Sequence, residues 1–130
     1  MVGAFMNIPD VIDVSSFLQK NPNGAIRTVI YQTNKDLTNK TQSSNVVLWQ
    51  IPKNHSLPAH KHPNGQDTWL IVSGCAKLID DKDSQRIVQA GEIVVIDANQ
   101  KHGIYNFSND DLILLSIVDI NAGFVPLNNK

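Results

Sequence analysis

Three imidazoles and one carboxylate are the residues of this chain whose types and spacing can do chemistry. His60, His62 and Asp67 lie in the run His60-Lys61-His62-Pro63-Asn64-Gly65-Gln66-Asp67, and His102 follows 40 residues after His62. On an extended segment, residues two apart share one face, so His60 and His62 point the same way. A carboxylate just beyond them and an imidazole from a later strand can converge with them on one ion. Imidazole and carboxylate together suit borderline divalent metals. A metal held this way with open positions can polarise a carbonyl or hydroxyl oxygen, or lower the pKa of bound water.

The elements that must position these groups read as short strands. Ile26–Tyr31, Asn45–Ile51, Asp67–Val72, Cys75–Ile79, Gln85–Val88, Glu92–Ile96, Gly103–Phe107 and Leu112–Val118 are rich in Val, Ile, Leu and aromatics. Turn signals such as Pro52-Lys53-Asn54, Ser73-Gly74, Ala90-Gly91 and Asn99-Gln100 separate them. Many short strands with no long helix between them predict an all-β chain, folded as an antiparallel sandwich or barrel. Residues 1–24 are less regular. Val14 to Lys20 is expected to form a short helix, capped by Ser15 or Ser16 and stopped by Asn21-Pro22-Asn23-Gly24. Thr33 to Ser44 reads as a loop, and Pro126 to Lys130 as a frayed tail. Leu112 to Val118 is apolar on both faces apart from Ser116. Its outer side needs cover from a second sheet, the N-terminal segment or another subunit, so a homodimer is expected.

Composition narrows the classes. A chain of 130 residues that is 42% hydrophobic can bury one core, so a single domain over 1–130 is expected. Its 11 basic and 12 acidic residues give a net charge of −1, with no basic patch for nucleic acid or an anionic membrane. Apolar runs are too short for a membrane span, and the N-terminus has no signal-peptide pattern. Cys75 is the single cysteine, so no internal disulfide forms. These features together lead to the expectation of a cytoplasmic protein.

With these residues in view, the chain resembles the cupin superfamily, in particular the small single-domain bacterial cupins of the conserved-barrel (cupin 2) group. The first family motif, Gly-x5-His-x-His-x3 or 4-Glu-x6-Gly, appears as Asn54-x5-His60-x-His62-x4-Asp67-x6-Gly74. The second, Gly-x5-Pro-x-Gly-x2-His-x3-Asn, appears as Gly91-x5-Asp97-x-Asn99-x2-His102-x3-Asn106. The motifs cover Asn54 to Asn106, and the strand pattern carries the match from about residue 26 to 118. Asn54 and Asn99 replace glycines, and Asn is among the few residues that tolerate positive φ. Asp97 replaces a turn proline, and Asp67 is one methylene shorter than the usual Glu.

The resemblance implies a jelly-roll barrel (double-stranded β-helix) holding one divalent metal, Fe, Mn, Ni, Cu or Zn. The implied ligands are His60, His62, Asp67 and His102. Gln66 is the rival to Asp67, because some cupins place the acid after x3. Counting back from Gly74, Asp67, Trp69 and Ile71 share the inward face and Gln66 the outward one; a bulge near Gly65 would reverse this. The expected pocket wall is Val47, Trp49 and Ile51 from one strand, Trp69 and Ile71 from another, and Ile104 and Asn106 beside His102. Tyr105 lies on the opposite face from His102, which argues against a Cys75–Tyr105 cofactor of the kind some thiol dioxygenases carry. His55 reads as a solvated loop residue.

The expected function is a metal-dependent enzyme acting on a small oxygenated metabolite, as a dioxygenase or as an isomerase or lyase. Two other readings stay open: a non-catalytic cupin that binds or senses a small molecule such as a sugar, and an auxiliary protein that works through surface contacts.

Overall fold

Apolar runs of three to eight residues, broken by turns, fold into short antiparallel strands. The computed structural model describes residues 11–31 and 44–127. Its strands are β1 (Ile26–Tyr31), β2 (Ser44–Ile51), β3 (Ser56–Lys61), β4 (Asp67–Ser73), β5 (Cys75–Ile79), β6 (Ile87–Gln89), β7 (Ile93–Ile96), β8 (His102–Tyr105), β9 (Leu112–Asp119) and β10 (Val125–Pro126). They form two five-stranded sheets, in the orders β1-β2-β9-β4-β7 and β10-β3-β8-β5-β6. The edge strands β1 and β10 come at corresponding ends of the two orders.

The faces that meet between the sheets make the core. Ile51, Trp69, Ile71, Ile104, Leu112 and Leu114 are fully buried there. Along β4 the burial alternates, with Asp67, Trp69 and Ile71 inward. The alternation over Asp67, Trp69 and Ile71 holds, and the one register shift of β4 against β9 falls between Ile71 and Ser73. Gly74 has φ +88°, and a Cβ on it would stand 2.8 Å from the Asp111 carbonyl oxygen. Asn54 and Asn99, standing where the family motif has glycine, adopt φ of 68° and 65°.

Two strands escaped the sequence pattern. β3 contains Pro58, which has no N–H to donate, and its pairing with β8 shifts register between Leu57 and His60. β10 lies in the tail read as frayed from Pro126. It pairs Val125 with Lys61 and Pro126 with His60, and Leu127 donates its N–H to the Ala59 carbonyl at 2.9 Å. The sheets thus extend to Pro126, beyond the Val118 limit of the strand pattern.

The N-terminal helix also differs from expectation. It is a 3-10 turn, Val14–Phe17, capped by Asp13 and not by Ser15 or Ser16. The Asp13 carboxylate accepts from the Ser15 N–H and hydroxyl at 3.0 and 2.7 Å, and a carboxylate outcompetes a hydroxyl as acceptor. Just after it, Gln19 exchanges two backbone hydrogen bonds with the buried Gln50 side chain, at 3.0 and 2.8 Å. That segment satisfies the polar residue on the second face of β2. On β9 the cover is partial: Leu112 to Leu114 are buried, while Ile117 is 44% exposed. Leu70, Val72, Ile93 and Val95 are exposed as well. The predicted loop over 33–43 lies outside the described residues, and Ser44 opens β2.

Candidate metal centre

Four side chains from four places converge between the sheets. His60 comes from β3, His62 from just past its end, Asp67 from the start of β4 and His102 from the start of β8. One nitrogen or oxygen of each lies within 4.8 Å of the others. His60, Asp67 and His102 are buried, and His62 is half-buried. Gln66, the rival to Asp67, is exposed; its amide lies against Thr68 and its N–H donates to Asp119.

The ring orientations are fixed by backbone carbonyls. Nδ1 of His60 contacts the Pro58 oxygen at 2.8 Å, that of His62 the Gly123 oxygen at 2.6 Å, and that of His102 the Gln100 oxygen at 2.8 Å. A carbonyl only accepts, so each Nδ1 carries the proton. Nε2 of each neutral ring then offers a lone pair. Nε2 of His62 and of His102 each stand 3.4 Å from Asp67 Oδ2. His102 Nε2 is buried without a hydrogen-bond partner. A neutral acceptor facing a carboxylate is a costly arrangement unless a cation sits between them.

Asp67 is held as firmly as the rings. The Ser116 hydroxyl donates to its Oδ1 at 2.6 Å, and Trp69 Nε1 donates to its Oδ2 at 3.1 Å. Burial works against its charge, but His102, His62 and Ser116 outweigh it and hold the carboxyl well below the usual range. Burial also opposes protonation of His62, yet Asp67 and the Gly123 carbonyl raise its pKa above the ordinary 6.5. His60 moves the other way. Burial, aided by its two neighbouring imidazoles, pushes it down to about 4 against the pull of the Pro58 carbonyl. The cluster therefore calls for positive charge, which a proton on His62 or a metal ion can supply. The donors, their tautomers and the unpartnered His102 nitrogen all fit a divalent metal.

These shifts set a pH dependence in the metal-free protein. Native His60 stays neutral down to about pH 4, whereas the unfolded chain protonates near 6.5. The unfolded state then binds more protons, so stability falls as pH drops through that window. His62, with its raised pKa, contributes in the opposite sense: its stabilisation is full below 6.5 and fades as pH rises through the folded value. Replacing His60 by Gln isolates the first effect. The variant is expected to lose less melting temperature than the unmutated protein between pH 6.5 and 4, with both measured in chelator.

Beside the cluster opens a cavity of about 620 Å³, lined in part by His60, His62, Val47, Trp49 and Phe124. Val47 and Trp49 stand on its wall as the sequence led one to expect. Ile51, Trp69, Ile71, Ile104 and Asn106 do not line it; they lie in the closed core. Strand parity separates inside from outside, but it does not say which end of the barrel is open. Trp69 acts through its bond to Asp67. Asn106 is a turn latch, donating to the Ile51 and Asp110 carbonyls and accepting from Ser108. Tyr105 donates to Asn54, away from the cluster, and His55 is exposed.

Several residues of the site were not visible in the sequence. Gly123 and Phe124 belong to the strap that leads into β10. The Phe124 ring lies 5.1 Å from that of His60 and 6.1 Å from that of His62. In the sequence Gly123 is an isolated glycine in a polar tail. Gly65, under the strap, is tight: a Cβ there would come within 2.7 Å of the Ala122 Cβ.

The family model of the cupin domain matches residues 47–118. The chain is a cupin. No curated protein matches it. Among solved structures, this cupin is similar to an uncharacterised double-stranded β-helix protein from Klebsiella pneumoniae. That pair shares 29% identity with a TM-score of 0.79, over 92% of this chain and 98% of the other. It also resembles an oxalate oxidase, at 23% identity and a TM-score of 0.66, over 82% of this chain and 56% of the enzyme. A DMSP lyase from Ruegeria pomeroyi matches at 17% identity and a TM-score of 0.58, over 65% and 43%. The last two likenesses concern the fold alone.

Proposed function

We propose that this cupin holds one divalent metal on His60, His62, Asp67 and His102 and acts as an enzyme on a small oxygenated metabolite. The observation that carries the reading is the convergence of three carbonyl-oriented imidazoles and a carboxylate beside an open, largely apolar cavity. When bound, the metal would supply a Lewis acid and, if it is Fe or Mn, redox chemistry.

The chain's own residues do the rest. The Pro58, Gln100 and Gly123 carbonyls keep the ring protons on Nδ1 and the lone pairs inward. Ser116 and Trp69 keep Asp67 aimed, and Ser116 helps His102 and His62 keep it ionised. Val47, Trp49 and Phe124 give an apolar body something to pack on. Outside the cluster, Asp119 is the one carboxylate among the described residues that line the cavity. Its Oδ2 accepts the Gln66 N–H at 2.8 Å, which ties it to the start of β4.

The names of structural neighbours, an oxalate oxidase and a DMSP lyase, support small-molecule chemistry at such a barrel without choosing a reaction. A cytoplasmic location and a homodimer belong to the same proposal; the exposed apolar strip of Leu70, Ile93 and Val95 supports the second.

Metal analysis of protein purified without added metal or chelator tests the reading. About one Fe or Mn per chain supports oxygen chemistry, and Zn or Ni leaves lyase, isomerase or binding roles open. No metal even after reconstitution overturns the proposal.

A further inference from the structure

The cavity has two chemically different ends. Its metal end is marked by Asp67, which pairs across the sheet with Val118 of β9. Its other end is marked by Arg27 on the edge strand β1. Arg27 pairs with Trp49, and Trp49 with Leu114 of β9. Residues paired across strands share a face, so Arg27 and Trp49 both turn toward the cavity, and both line it. From the Val118 row to the Leu114 row is four residues of strand, about 13 Å.

Charge separates the ends further. Arg27 is exposed at the cavity mouth and has no ion-pair partner among the described residues. Asp119 lines the cavity too, but it pairs with Ser44, one row beyond Val118 and at the metal end. An anionic group on a ligand is attracted by Arg27, the one Arg or Lys among the described residues that line the cavity. Between the two ends the wall is Trp49, Val47, Leu57 and Phe124, which suits a flat apolar body.

We infer that the cavity takes an elongated small carboxylate with a flat apolar body, its carboxylate on Arg27 and an uncharged oxygen at the His60–His62 end. The inference deepens the enzyme reading by naming a substrate class, and it rests on that reading for the oxygen end. Arg27 is the specificity-determining residue: its planar guanidinium matches a carboxylate in a way a point charge does not.

The test uses the full chain loaded with metal, with 3-(4-hydroxyphenyl)propionate and its methyl ester as probes in titration calorimetry. The unmutated protein is expected to bind the acid about tenfold more tightly than the ester. Arg27→Gln should remove that preference by weakening the acid, and Arg27→Lys should keep part of it. Equal affinity for both probes in the unmutated protein, no binding of either, or a preference that survives in Arg27→Gln would each overturn the inference. The last result would put the carboxylate on the metal. Metal content measured on the same samples separates the two readings. A chain that binds metal but shows no Arg27-dependent preference fails the inference alone; one that prefers the acid through Arg27 yet never takes up metal supports Arg27 and fails the enzyme reading.

Discussion

Replacing His62 by alanine is expected to strip the metal from the centre and leave the fold standing. His62 is the most accessible of the four residues, with 13% of its side chain exposed, so its removal opens a solvated gap and no sealed void. The Gly123 carbonyl that it contacts is in an exposed segment and turns to water. Loss of groups that merely orient a ligand costs about 10- to 100-fold in metal affinity, so loss of a ligand should reach about 100-fold or more. The consequence for stability follows from mass action. At a metal concentration 100 times the dissociation constant, binding stabilises the native state by about 2.7 kcal/mol. A 100-fold weaker site gains only about 0.4 kcal/mol at the same concentration. Melting curves with and without metal should therefore nearly coincide for His62→Ala and differ clearly for the unmutated protein. If metal content and metal-dependent melting stayed unchanged, His62 would not be a ligand.

The second large effect belongs to Asn106, which touches neither cavity nor metal cluster. Its amide is fully buried and makes four hydrogen bonds at 2.7 to 2.9 Å. Two of them are donated to carbonyls of different segments, Ile51 at the end of β2 and Asp110 before β9. Asn106→Ala removes all four and strands the Ile51 oxygen in the core. At about 1 kcal/mol for each of the two bonds to carbonyls, with about 1 to 3 kcal/mol for the buried carbonyl left unpaired and Ser108 free to turn to water, the cost is about 3 to 5 kcal/mol. Urea denaturation should show a lower midpoint with an unchanged slope. Asn106→Asp keeps the two accepting bonds but turns a carboxylate toward two carbonyls, so it should also destabilise. A change under about 1 kcal/mol for the alanine variant would contradict the latch.

The contrast between these residues shows what the sequence made legible. Two-residue alternation put His60 and His62 on one face and Asp67 and Gln66 on opposite ones, because parity on a pleated strand is a local property. Positive φ at Asn54 and Asn99 was equally local. Long-range geometry was not. Ile51, Trp69, Ile71 and Ile104 have the right parity for a pocket and sit in the core, since only the stacking of the two sheets decides which end stays open. β3 was hidden by Pro58 and by the absence of an apolar run. Asp13 was passed over as the helix cap in favour of its serine neighbours. The Gly123 carbonyl could not be anticipated, because any residue supplies a carbonyl and the side chain says nothing of its use.

The strap has a consequence for the birth of the protein. His62 and the carbonyl that orients it are 61 positions apart. β2 likewise waits for β9 as its sheet neighbour, and β3 for β10. A ribosome adding about 5 to 20 residues each second delivers the histidine seconds before its support. During that interval His62 lacks the carbonyl that orients it, whereas His60 already has that of Pro58, two residues before it. The cluster's last ring orientation is therefore set by the finished barrel and not by the growing chain.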